Sequence, residues 1–220
     1  MEIQKILLAV GKAYRDFAAS FSKDKTTDEL FATFEASLKE SLGEYEIVYD
    51  YIWGKDTLNI DGVTKNYHPR TGDTLIMDIS VGVGGVFCDV CRTYFVGEPT
   101  VSQTEAYETV LASLRRGHKA LREGTKASDV YEAVDGVYRQ KGKTLVHHAG
   151  HRIAEKPLLQ PQFLPENDTP LEDGLYYTVE SGLYEDFGIR LENDFLIEKT
   201  GAKDLFENIL PLNIKEYILK

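Results

Sequence analysis

The chain has 220 residues, of which 42% are hydrophobic and 28% charged, a globular composition that excludes disorder and allows one large domain or two closely fused halves. A formal net charge of −11 argues against a nucleic-acid partner, whose binding draws on clustered Lys and Arg, and suits a protein that collects cations. No stretch approaches the roughly 18 apolar residues of a membrane helix, and the opening apolar run is too short for a signal peptide, so the expected location is cytoplasmic with no membrane partner.

In chain order, residues 2–22 and 27–42 have helical spacing, the second opened by a capping box from Thr26 to Glu29. Strand-like text follows in "YEIVYDYIW" and in residues 75–95, "LIMDISVGVGGVFCDVCRTYF". Two more helices fit "TEAYETVLASLRRGHKALREG" and "ASDVYEAVDGVYRQKG", each stopping at a glycine. Then "TLVHHAGHRIA", "GLYYTVESGLY" and "GIRLENDFLIEKTG" read as strands. No segment has linker composition, so residues 1–220 are expected to form a single domain. Two helices then strands, twice over, predict an α+β fold of two similar halves.

The acidic residues in the apolar runs are the informative ones. Asp78 and Asp89 are centred between Val83 and Gly84, so a hairpin turning on Gly82, Gly84 and Gly85 would place their Cβ atoms roughly 4.5–5.5 Å apart on one face. Glu180 and Glu192 repeat the device, centred on Asp186. Carboxylates crowded in one cavity repel by about 4 kcal/mol per pair at 4 Å and an effective dielectric near 20, and two divalent ions would balance four of them. Of the histidines, His118 reads as a solvated surface residue. On a strand, His147 and His151 share a face and His148 takes the other, with His147 about 13 Å from His151, at the rim of a site. Cys88 and Cys91 spell CxxC, but on one strand they lie about 10 Å apart on opposite faces, beyond disulfide reach, with Cys91 on the face of Asp89.

In this order, "MDISVGVGGVFCDVCRT", "HHAGH", "TVESGLY" and "GIRLEN" resemble the methionine aminopeptidase, Xaa-Pro peptidase and creatinase superfamily, over about residues 70–200. The resemblance implies a pita-bread fold, two pseudo-symmetric halves each with helices packed on an antiparallel sheet. It makes Asp78, Asp89, His151, Glu180 and Glu192 the five ligands of two divalent ions, with Mn, Co, Zn, Fe and Mg left open. Asp89 and Glu192 would bridge the ions, Asp78 would hold one, and His151 and Glu180 the other. Glu180 would be the proton shuttle, while His147 and Arg190 would contact substrate. Arg190, on the face of Glu192, is similar to the prolidase and aminopeptidase P branch. The implied reaction is hydrolysis of short peptides of Xaa-Pro type by a metal-activated hydroxide. A homodimer is left open.

The chain also departs from the family pattern. Arg152 and Ala154 stand where glycines are usual, Ser181 replaces a proline, Leu158 a histidine, and "NIDG" fills the place of an upstream histidine for which His68 could substitute. Two alternatives therefore stand beside the peptidase: a binding module that has lost the chemistry, and a creatinase-like hydrolase of a non-peptide C–N bond.

Overall fold

The computed structural model describes residues 2–220. Helices α1 (Glu2–Ser20) and α2 (Thr27–Leu42) precede strand β1 (Glu46–Trp53) and the hairpin β2 (Thr74–Val83) and β3 (Val86–Val96). The order then repeats: α3 (Val101–Ala120), α4 (Ala127–Arg139), two short strands β4 (His151–Ile153) and β5 (Leu159–Gln162), and a second hairpin, β6 (Tyr176–Tyr184) and β7 (Gly188–Glu198). Strands β8 (Gly201–Asp204) and β9 (Ile218–Leu219) pair with β7 and β3. Among the described residues all nine strands belong to one sheet, with main order β1-β2-β3-β7-β6-β4-β5.

Period-2 alternation divides the sheet into two faces. Met77, Ile79, Val81, Cys88 and Val90 join the core beneath α1 and α2, while Tyr177, Val179, Ile189 and Leu191 join the core beneath α3 and α4. The alternate residues, Asp78, Ser80, Asp89, Glu180, Arg190 and Glu192, face the other way and line one pocket. The capping box forms as expected, Glu29 N donating to Thr26 Oγ1 and Thr26 N to Glu29 Oε2. Helix α3 starts three residues before the expected point, because Thr100 and Gln103 form a second capping box, and it ends before Gly124. His118 is half-buried rather than solvated, its ring 4.5 Å from that of Phe195 and its Nε2 2.9 Å from the Ala202 carbonyl.

The first hairpin turns one residue later than the midpoint of Asp78 and Asp89. Gly84 and Gly85 form the two-residue loop with φ of +59° and +78°, and Val83 pairs with Val86. A loop centred between Val83 and Gly84 would force positive φ on a β-branched valine, which sterics disfavour. Asp78 consequently faces Cys91, and Asp89 faces Ser80, whose hydroxyl donates to Asp89 Oδ2 at 2.7 Å. In the second hairpin Glu180 does face Glu192.

The strand expected over "TLVHHAGHRIA" is limited to His151–Ile153. The residues before it form a loop that turns at Gly150, φ +136°, where Ala149 N donates to the Phe163 carbonyl and Glu180 N to the Ala149 carbonyl. A Cβ at Gly150 would stand 2.3 Å from the Thr178 carbonyl oxygen, so any side chain must displace β6 or β4. Gly150→Ala should therefore destabilise the chain by about 1–3 kcal/mol, measured as a lowered urea midpoint; an unchanged midpoint would mean the loop accommodates a methyl group.

Candidate metal centre

The pocket, about 210 Å³, lies where β1, β2, β3, β7 and β6 present their uncovered face. Within it Asp89, His151 and Glu192 offer one ligand atom each within 4.8 Å of one another, all three residues being buried. The chemistry of the donors tests whether a cation fits. His151 Nδ1 lies 3.0 Å from the Arg152 carbonyl oxygen, and since a carbonyl only accepts, Nδ1 carries the proton. Nε2 then presents a bare lone pair, 3.8 Å from Asp89 Oδ2 and 3.8 Å from Glu192 Oε1. Asp89 Oδ1 and Glu192 Oε1 are buried without a hydrogen-bond partner. Three lone-pair donors that converge without a hydrogen-bond donor aimed between them suit a divalent cation, and the carbonyl behind His151 is the kind of outer partner that fixes a ligating imidazole.

Sheet position explains how these side chains converge. Asp89 and Glu192 sit on the two central strands where the halves meet through the pairing of Cys91 with Glu192. Asp194 Oδ2 accepts from the Asp89 backbone N at 2.9 Å and ties β3 to β7. Burial, and next the neighbouring Asp78, push the Asp89 carboxyl well above its ordinary range; for Glu192 the causes are burial and then Asp89.

The other two expected ligands have partners of their own. Asp78 Oδ2 is 3.0 Å from Arg190 Nη1, yet burial outweighs that charge and raises its carboxyl to about 7. Glu180 Oε1 lies 2.7 Å from His148 Nδ1 and its Oε2 3.5 Å from His147 Nδ1. Burial alone would raise Glu180, but the charges of His148, His147 and Arg190 prevail and hold it down at about 2.

Arg190 reaches beyond Asp78 to Asp50, at 3.8 Å, and to the carbonyl of Ile60 in the "NIDG" segment. His147 lies behind Glu180 instead of at the rim: its side chain is 6% exposed and it is not among the residues lining the pocket. His148 lines the pocket instead, as do Asp50 and Leu158. His68 is exposed and lies outside this lining. Both cysteines are free and buried, and Cys91 packs beside Ile52, Ile76 and Tyr184 on the site face. Strand alternation hid His148, because a strand there would have turned it away. Asp50 carried a readable signal, a lone acid in the aromatic run of β1.

Helices over one face of a curled antiparallel sheet, with a carboxylate and histidine cluster on the other, define a pita-bread fold of metallopeptidase type. The chain belongs to metallopeptidase family M24, whose pattern matches residues 2–199. It is 28% identical over 148 residues to an Xaa-Pro dipeptidase of Pyrococcus furiosus, covering 66% of this chain and 42% of that protein. The solved prolidase from Pyrococcus furiosus superposes with a TM-score of 0.87 at 25% identity, covering 92% of this chain and 62% of that one. An X-Pro aminopeptidase from Thermotoga maritima shares the fold, with a TM-score of 0.87 at 22% identity over 98% of this chain and 61% of its own. The chain spans 42%, 52% and 56% of the lengths of three curated relatives that it matches. None of its described helices is long and apolar enough to cross a membrane.

The raised carboxyls make stability depend on pH when metal is absent. Asp78, at about 7 when folded against an ordinary 3.8, holds a proton that the unfolded chain has lost, so its contribution is full below pH 3.8 and disappears as pH rises through 7. Glu180, at about 2 against 4.5, acts oppositely, its contribution being lost only as pH falls below 4.5. In chelator, the urea midpoint should be lower at pH 8 than at pH 5, the gap should narrow in Asp78→Asn, and saturating Mn(II) should raise the pH 8 midpoint. Equal midpoints at the two pH values would contradict this electrostatic account.

Proposed function

We propose that residues 1–220 act as a single-domain, dinuclear-metal-dependent hydrolase, an aminopeptidase or dipeptidase for short peptides of Xaa-Pro type in the cytoplasm. The observation that carries this reading is the bare His151 lone pair directed at two buried carboxylates, in a chain of family M24. Asp89, His151 and Glu192 would hold the ions at the centre, with Asp78 and Glu180 completing the set; Mn, Co, Zn, Fe and Mg all suit such donors. Divalent ions held there would polarise the scissile carbonyl and activate a water.

The protein's own groups do the rest. Glu180, ionised and at the pocket wall, would accept a proton from the attacking water and deliver it to the leaving amine. His147 Nδ1 lies 3.5 Å from the far oxygen of that carboxylate. Arg190 holds Asp78 and Asp50 in place and lends positive charge to the pocket wall, where a substrate carboxylate or developing oxyanion would approach. Val48, Pro157 and Leu158 form an apolar part of the lining that suits a small hydrophobic residue such as proline.

One observation favours the binding-module alternative: Leu158, 47% exposed, occupies the pocket where a histidine donor would assist chemistry. A panel of Xaa-Pro dipeptides, Met-initiated peptides and guanidino compounds, assayed with Mn(II) or Co(II), separates the readings. Hydrolysis of Xaa-Pro peptides should fall about 10²–10⁴-fold in Glu180→Ala. A metallated chain inert on the whole panel that still binds peptide would establish the binding module, and turnover of guanidino compounds alone would establish the creatinase-like reading.

A further inference from the structure

One stretch of the pocket wall is main chain. Strand β1 stands first in the sheet order and has β2 on one side only, in a register that runs unbroken from Glu46–Gly82 to Trp53–Leu75. In an antiparallel pair the N–H and C=O of alternate residues point away from the neighbouring strand. Tyr51 shows which residues do so here: its N donates to the Gly62 carbonyl at 3.0 Å and its carbonyl accepts from Thr64 N at 2.9 Å, so the segment after β1 covers the edge at that point. Two residues back, Tyr49 turns its N–H and C=O the same way, and among the described residues no backbone group pairs with them.

This open edge belongs to the pocket of the metal cluster. Tyr49 lines that pocket between Val48 and Asp50, although its ring packs against Phe31 at 4.4 Å between centroids, on the helix side of the sheet. What Tyr49 contributes to the wall is therefore its main chain. Beside it stands the Val48 side chain, 57% exposed, and Pro157 and Leu158, from the loop between β4 and β5 at the other end of the sheet order, line the same pocket. The edge is thus continuous with the site and has an apolar flank.

We propose that this edge docks the peptide substrate: the chain beyond the scissile bond adds to β1 as an extra strand, one of its residues donating its N–H to the Tyr49 carbonyl and accepting the Tyr49 N–H on its own carbonyl. Distance decides which part of the substrate arrives there. Asp89 and Glu192 lie on β3 and β7, and β3 is two strand spacings from β1, about 10 Å, which an extended chain covers in about three residues. An aminopeptidase has a single residue before the scissile bond, so the residue at the edge belongs to the leaving group. Proline, which has no N–H, cannot fill that place, and an Xaa-Pro dipeptide leaves the edge empty. This assignment rests on the hydrolase reading and narrows it to an aminopeptidase for peptides of about four residues or more.

The test uses the wild-type chain loaded with Mn(II), the dipeptide Ala-Pro, the pentapeptide Ala-Pro-Ala-Ala-Ala, and pentapeptides N-methylated singly at the third, fourth or fifth residue. The pentapeptide should be cleaved with a kcat/KM about tenfold above that of the dipeptide, the effect of two main-chain hydrogen bonds at their typical net strength. Methylation at the residue that faces Tyr49, expected to be the fourth, should abolish this gain. A pentapeptide whose scissile carbonyl is reduced to a methylene should slow hydrogen exchange at the Tyr49 amide at least about tenfold, and the dipeptide reduced in the same way should not. Equal kcat/KM on the two lengths, a gain that all three methylated peptides keep, or an unprotected Tyr49 amide in the pentapeptide complex would overturn the proposal. Protection of that amide in the ligand-free chain that grows with protein concentration would overturn it in favour of a second copy of the chain at the edge. Protection by the reduced pentapeptide in a chain that hydrolyses none of the peptides would keep the edge as a peptide site and remove the hydrolase reading; neither protection nor hydrolysis would remove both.

Discussion

Two carboxylates buried side by side at the centre of the sheet, Asp89 on β3 and Glu192 on β7, set the terms for the rest of the structure. At an effective dielectric near 20, such a pair repels by about 4 kcal/mol at 4 Å, and burial removes the water that would otherwise offset it. The surroundings hold the pair together instead of letting it relax: Ser80 donates to one Asp89 oxygen, and Asp194 receives the Asp89 backbone N–H. A cation between these groups and the His151 lone pair converts the repulsion into attraction. The fold is thus a frame around a charge problem that a divalent ion solves.

The frame is rigid because the halves are joined at the same place. Besides the pairing of Cys91 with Glu192, the fully buried Arg92 donates to the Cys91 and Glu192 carbonyls, to Asn193 Oδ1, to the Leu210 carbonyl and to Tyr217 Oη. One guanidinium therefore clamps β3, β7 and the segment after β8 together, using the planar array of donors that lysine lacks. Asn193 Nδ2 passes the connection to Asp204 on β8, which places the counter-charge of Arg92 one residue away from direct contact. The carboxylates are held from behind by a hydrogen-bonded network on the helix side of the sheet.

Much of this was legible in the sequence. Period-2 spacing put Asp78, Asp89, Glu180 and Glu192 on one face, the spacing about Asp186 gave the register of Glu180 with Glu192, and Thr26 with Glu29 marked the start of α2. The first hairpin was displaced by one residue because its register follows the φ requirements of Gly84 and Gly85, which symmetry of the flanking acids does not reveal. The histidines were misplaced for another reason. Continuing β4 back to His147 ignored Gly150, whose positive φ and contact with Thr178 turn the chain, so that His148 and not His147 reaches the pocket. The engagement of Arg190 by Asp78 and Asp50, and the Arg92 network, depend on contacts between residues as many as 140 positions apart, which no local pattern carries.

The central claim is that the buried carboxylates exist to hold divalent cations. Calorimetric titration of the metal-free chain with Mn(II) near pH 7.5, in the wild type and in Asp89→Asn and Glu192→Gln, tests it most directly. The account predicts about two ions per wild-type chain, with binding greatly weakened in each variant, since each removes a charge from the centre of the cluster. Wild-type stoichiometry and affinity retained in both variants would contradict it.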